Sequence, residues 1–280
     1  MKKTISMVLL ATIMAFNTSC SDDLVELISP NYAMQTRAKE QRVQSLIQQA
    51  RTGDSEAYKA LALCYHHGEG VEKSWLNTAF CYYIYCEKTG KDIKRITEWL
   101  DEKHPYRLIN EIMPKPALDK ASREKLALLE EVAPAEAKAI KAIKIRKKIS
   151  EITTSSNIAT ALREAEQEGS EMAAVLLAIC YTDRKGGCVE EAEILRMAQK
   201  YPCLYLVIGD KRDDNHTDGN TEDALRVMEY YSKADAHGML TPQHAGKMRV
   251  IRHRLEKQGV IAPDELEMRR LGDIMKKETN

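Results

Sequence analysis

Apolar side chains recur along this chain at helical intervals, and runs of Val and Thr in alternation are absent, so helices are predicted throughout with essentially no sheet. Between Gly53 and Tyr65, residues Ala57, Leu61, Ala62 and Tyr65 fall at i, i+4, i+5 and i+8. That spacing is one face of a helix, and its small residues let a second helix approach closely. The segment HHGEGV follows, in which Gly68 and Gly70 can adopt positive φ and reverse the chain tightly. Ser74 then offers an N-cap. Trp75, Ala79, Tyr82, Tyr83 and Cys86 form an apolar stripe expected to pack back on the first helix, until Gly90 ends it. The pattern returns at an offset of 116, where GDSEAYKALALCY (Gly53 to Tyr65) aligns without gaps with GSEMAAVLLAICY (Gly169 to Tyr181). A helical stretch precedes each copy, matching Leu46 with Leu162. From Glu111 to Ile152 the chain reads as longer helices broken near Pro114, Pro116 and Pro134. The stretch Val227 to Gly238 reads as a second helix lacking a clear first, and a final pair is expected from Gln243 to Lys257 and from Pro263 to Lys276.

The first residues do not belong to this pattern. Lys2 and Lys3 precede an apolar run from Ile5 to Phe16, then Asn17, Thr18, Ser19 and Cys20. The run is well short of the roughly 20 residues that a membrane-spanning helix needs, and it reads as a signal peptide. Small residues before a lone cysteine resemble the bacterial lipobox, with Asn17 standing where that pattern prefers an apolar residue. The resemblance implies cleavage before Cys20, lipidation of its thiol, including palmitate, and attachment to a membrane, with residues 1–19 removed and 20–38 acting as a tether. Asp22 and Asp23 resemble a surface-export signal, while Asp near such a cysteine also resembles an inner-membrane retention signal. An outer-membrane lipoprotein is expected, on either its periplasmic or its surface face.

Ala57, Leu61, Tyr65, Gly68, Gly70 and Val71 together resemble the Sel-one-like repeat, a short relative of the tetratricopeptide repeat, with Ala62 replacing a glycine of the pattern. Ala79, Tyr82, Tyr83, Cys86 and Gly90 fit its second helix with one residue of slack after Val71. The copy at Gly169 lacks the double-glycine loop and offers only Gly186 and Gly187 before Cys188. The resemblance implies an all-α, right-handed solenoid of antiparallel helix hairpins, partly degenerate. Residues 39–100 would form the repeat, 101–156 connecting helices, and 157–280 degenerate repeats with C-terminal helices. It also implies a scaffold or adaptor role exercised through a concave surface.

Composition narrows the chemistry. The chain has 42 basic and 42 acidic residues, and its 12 Tyr, 2 Trp and 2 Phe are not interleaved with Arg, so nucleic acid is not an expected partner. Six cysteines besides Cys20 (Cys64, Cys81, Cys86, Cys180, Cys188 and Cys203) permit disulfides in an exported protein, with the pairing open. Cys64 and Cys180, each preceding a Tyr in matching apolar helices, read as small buried residues. Adjacent His66 and His67 rarely aim at one metal ion. The stretch Asp210 to Asp223 is rich in carboxylates, but it puts Leu225 where an EF-hand needs its bidentate Glu, and it reads as a solvated loop. Lys138, Lys141, Lys144 and Lys148 form a basic helix face, read as solvated because Glu130, Glu131 and Glu136 lie just upstream. No catalytic motif, metal site or cofactor site is found, and no enzymatic activity is expected.

The expectation is therefore a membrane-tethered helical-repeat protein that binds or scaffolds a protein or peptide partner. Tyr58, Tyr82, Tyr85, Tyr230 and Tyr231 are the candidate contacts, most of them expected in the core. An inhibitor or immunity-type protein that neutralises a secreted enzyme or toxin is the alternative. A divergent hydrolase would require His, Asp and a nucleophile within hydrogen-bond reach in one cleft.

Overall fold

The structure, a computed structural model, describes residues 30–113, 118–144, 156–182, 189–214 and 220–261. The expected signal peptide, Cys20 and the start of the expected tether lie outside the described residues, as do Gly186 to Cys188, Lys148 and the expected helix from Pro263 to Lys276. Among the described residues the chain is helical, with no strand. The helices are α1 (Pro30–Arg51), α2 (Ser55–His67), α3 (Trp75–Thr89), a 3-10 turn (Ile93–Glu98), α4 (Pro105–Ile112), α5 (Lys120–Val132) and α6 (Pro134–Lys144). They continue as α7 (Ser156–Gln167), α8 (Glu171–Thr182), α9 (Glu191–Lys200), α10 (Leu204–Asp214), α11 (Thr221–Ala236) and α12 (Pro242–Lys257).

Local chemistry sets these boundaries. Asp54 accepts from Glu56 N at 2.9 Å to start α2, and Gly68, at φ 72°, ends it by donating its N–H to Cys64 O. Ser74 Oγ accepts from Asn77 N at the head of α3, and Gly90, at φ 69°, closes its tail. Asp119, Asn220 and Thr241 cap α5, α11 and α12 in the same way, each cap contributing about 1 kcal/mol. Gly70 has a second duty: a Cβ there would sit 2.4 Å from the Lys39 carbonyl oxygen of α1, so the α2–α3 loop can pass under α1 only with glycine.

The repeat read at an offset of 116 is present in the backbone. Gly53 and Gly169 share φ values of 103° and 100°. Thr52 N donates to Gln48 O, Gly53 N to Ala50 O and Asp54 N to Gln49 O. Glu168, Gly169 and Ser170 repeat those bonds to Glu164, Glu166 and Ala165. Ala57, Leu61 and Ala62, like Ala173, Leu177 and Ala178, are buried, and so are Cys64 and Cys180. All five described cysteines are buried.

The expectations for residues 204–214 and for Tyr83 need correction. Asp210 is not part of a solvated loop: residues 204–214 form α10, the first helix that the sequence failed to supply for α11. Within α10, Gly209 lets the helices touch, since a Cβ there would lie 2.5 Å from Tyr231 Cε1. Residues 215–219 lie outside the described residues. Tyr83 leaves the α3 stripe; it is 39% exposed and its hydroxyl donates to Glu87 on its own helix.

Consecutive helices pack together, and α6 with α8 and α8 with α10 add contacts one helix further on. Beyond this serial packing, α3 also meets α8 and α12, so the beginning and end of the array touch. Arg51 Nε bonds Asp235 Oδ2 at 2.9 Å, and Cys81 lies against Met239, sulfur to sulfur at 3.7 Å. Gly238, at φ 69°, faces Leu61, Ile47 and Ala50, which a Cβ would approach to between 3.3 and 3.8 Å. The two repeat copies and the C-terminal helices therefore share one core.

Candidate functional site: a cleft where the helix array closes

The closure leaves a cleft of about 400 Å³ between three parts of the chain. The α2–α3 junction supplies Tyr65, Val71, Glu72, Ser74 and Asn77; the end of α9 and the turn after it supply Gln199, Lys200 and Pro202; His237 stands at the C-terminal side. The volume suits a small ligand or a few residues of a peptide. Val71 and Pro202 give apolar lining, and Lys200 and Glu72 face each other as an ion pair at 2.9 Å. Burial pushes the Tyr65 phenol well above its ordinary range, so it stays a neutral hydroxyl.

Asn77 is the distinctive side chain. It is 3% exposed, and its Nδ2 donates to Lys200 O at 3.2 Å, tying α3 to the end of α9. Among the described residues its Oδ1 has no hydrogen-bond partner. Leaving such a buried acceptor unpaired costs about 1–3 kcal/mol.

Behind this wall lie two buried carboxyl groups in series. Glu136, on α6, accepts from Ser170 Oγ (2.6 Å), Glu171 N (2.9 Å) and Met172 N (3.1 Å) at the head of α8, and from Trp75 Nε1 (2.8 Å). Glu171, the first residue of α8, accepts in turn from Ser74 Oγ (3.0 Å), Trp75 N (3.3 Å) and Leu76 N (2.5 Å) at the head of α3. Each carboxyl thus serves the start of the next helix, where backbone N–H groups lack partners and the helix dipole favours negative charge. Burial pushes the Glu171 pKa up to about 7 against the pull of these bonds, with Glu136 adding to the rise.

The five candidate tyrosines do not line this cleft, and all five lie in the packed core, between 0% and 6% exposed. Most were expected in the core, and the burial extends to all five. Tyr82 meets Trp99 edge to face at 4.5 Å, and Lys88 lies over the Tyr58 ring. Lys91 donates to the Tyr85 hydroxyl. Tyr230 joins Tyr181 and the fork of Arg212 on Glu191, fastening α8 to α11. Tyr231 donates to Asp210. On the basic face, Lys138 pairs with Glu164 and Glu168, and Lys141 with Glu130. His66 packs beside His67 and His104, and among the described residues no group of His, Cys, Asp or Glu is arranged to hold a metal ion.

A Thr, His and Asp set does come together. Thr241 Oγ1 lies 2.6 Å from His244 Nδ1, and His244 Nε2 lies 3.0 Å from Asp210 Oδ2, while Asp210 Oδ1 accepts from Tyr231 and Lys247. Those bonds hold the Asp210 carboxyl well below the usual carboxylate range. Thr241, however, is 3% exposed and its Oγ1 accepts from His244 N as the α12 cap; it does not line the 400 Å³ cleft. The set fastens α10, α11 and α12 together.

No family model, curated protein or solved structure matches the chain.

Proposed function

We propose that this chain is a binding protein whose cleft at the α2–α3 junction receives a segment of a protein or peptide partner. The observation that carries the reading is Asn77 Oδ1, a buried acceptor without a partner beside a cleft of about 400 Å³. A turn of the Asn77 side chain toward the cleft would present Oδ1 to an arriving peptide N–H and recover the energy of the missing bond, while Val71 and Pro202 offer contact to an apolar side chain. In this reading the helix hairpins belong to a right-handed solenoid of the Sel-one-like kind, curled until its ends meet, so the recognition surface is the cleft and not an open concave face. Cys20, acylated, would hold the domain at the outer membrane. Binding accounts for these features without a catalytic step, and an inhibitor of a secreted enzyme would use the same cleft.

A photo-crosslinking residue in place of Gln199, at the cleft, is expected to capture a discrete protein in the source cell. The same residue in place of Glu124, exposed on α5, is expected to capture none. Equal capture from both positions, or none from Gln199, contradicts the reading. Attachment is tested separately: Cys20→Ser is expected to abolish fatty-acid labelling and release the protein from the membrane fraction.

A further inference from the structure

We propose that Glu171 is a proton-operated latch, which in its ionised form fixes the head of α3, and with it the Ser74 and Asn77 wall of the cleft, and releases that wall when it takes up a proton. The geometry is one-sided. Ser74 Oγ and the backbone N–H groups of Trp75 and Leu76 all act as donors toward the Glu171 carboxyl. Three donors suit a carboxylate, which only accepts. A protonated carboxyl brings its own O–H into that ring, so one donor must turn away. Ser74 is the member able to turn, because the other two are backbone groups. Ser74 Oγ also accepts from Asn77 N, so its reorientation reaches the side chain that carries the unpaired acceptor.

The surroundings favour the proton as strongly as the donors resist it. Glu171 is 8% exposed and makes no ion pair among the described residues. The α6 side presents Glu136, a like charge, and the α3 side presents only the neutral Ser74, Trp75 and Leu76. The turn between α9 and α10 presents the Tyr201 phenol and the Cys203 thiol, both held neutral by burial. Further out, Glu72 is paired with Lys200 and Glu166 with Arg196. Dehydration and Glu136 raise the affinity for the proton, the three donors lower it, and the balance falls at about pH 7.

That the change reaches a ligand rests on the cleft reading; the latch itself does not, and is tested without a ligand. The chain has only two tryptophans, so ¹⁵N-Trp labelling of the full chain gives a Trp75 signal beside Glu171 and a Trp99 signal as internal reference. The Trp75 backbone amide is expected to titrate with a midpoint near 7 while Trp99 stays unmoved. Glu171→Gln is expected to abolish the titration, and Ser74→Ala, which removes one donor, to move the midpoint upward. A Trp75 amide that is invariant between pH 5.5 and 8.5, or that titrates unchanged in Glu171→Gln, overturns the proposal. A titrating Trp75 with no capture from Gln199 would leave the latch and remove the cleft; capture with an invariant Trp75 would do the reverse.

Discussion

Glu171 is held by three donors, yet its pKa is pushed up to about 7 from an ordinary 4.5, because burial outweighs those bonds. A carboxyl whose folded pKa is raised stabilises the fold while protonated and loses that contribution as pH rises from the unfolded to the folded value. The difference of about 2.5 units corresponds to roughly 3 kcal/mol, so stability is expected to decline by that order between pH 4.5 and 7.5. Urea denaturation across this window should show the wild type losing stability relative to Glu171→Gln as pH rises, while both share the opposite trend from buried His104, whose pKa is pushed down to about 4. Asp210 behaves oppositely. Its depressed pKa contributes stability above the ordinary carboxylate range that is lost as pH falls. Asp210→Asn is therefore expected to lower stability at pH 7, with the gap to the wild type narrowing progressively as pH falls below the ordinary carboxylate range, read by thermal melting at each pH. The close approach at Gly209 gives a third expectation. Gly209→Ala puts a methyl group against the fully buried Tyr231 ring and should cost about 1–3 kcal/mol by denaturant titration.

At the scale of elements, the sequence pointed to structure wherever the determinants were local. Ser74, Gly68, Gly70 and Gly90 marked the first hairpin because caps and left-handed turns depend on neighbours within a few residues. The offset of 116 held down to individual backbone bonds for the same reason. Helix α10 was missed because LYLVIG is a continuous apolar run with a glycine inside it, which gives no amphipathic face to recognise. Its carboxylates looked like a loop for want of their distant partners, Tyr231, His244 and Lys247. The five tyrosines were candidate contacts with most expected in the core, and all five prove buried, their hydroxyls and ring faces spent on contacts between helices. The cleft itself was not legible. Asn77 and Lys200 are 123 residues apart, and Glu171 lies 95 to 97 from the donors it serves, separations over which sequence spacing carries no information. The one available hint was Glu171, an acidic residue in an otherwise apolar helix start, directly after Ser170, whose Oγ accepts from Ala173 N.

The molecule as a whole is a serial helical array whose ends meet, and this joins repeat-like construction to a single shared core. In an open repeat array, each unit contacts its neighbours alone and a distant change stays local. Here the first hairpin and the C-terminal pair stabilise each other through Leu61, Ile47, Ala50 and Gly238, and through Arg51 with Asp235. The cleft exists because of that closure, since its walls come from α2–α3, the end of α9 and the end of α11. Gly238→Val tests it most directly, by placing a branched side chain at φ 69° against Leu61. Hydrogen exchange read by mass spectrometry is expected to rise in residues 47–61 as well as in residues 234–251. A rise confined to residues 234–251, with 47–61 as protected as in the wild type, would show that the two ends do not hold each other and would contradict the account.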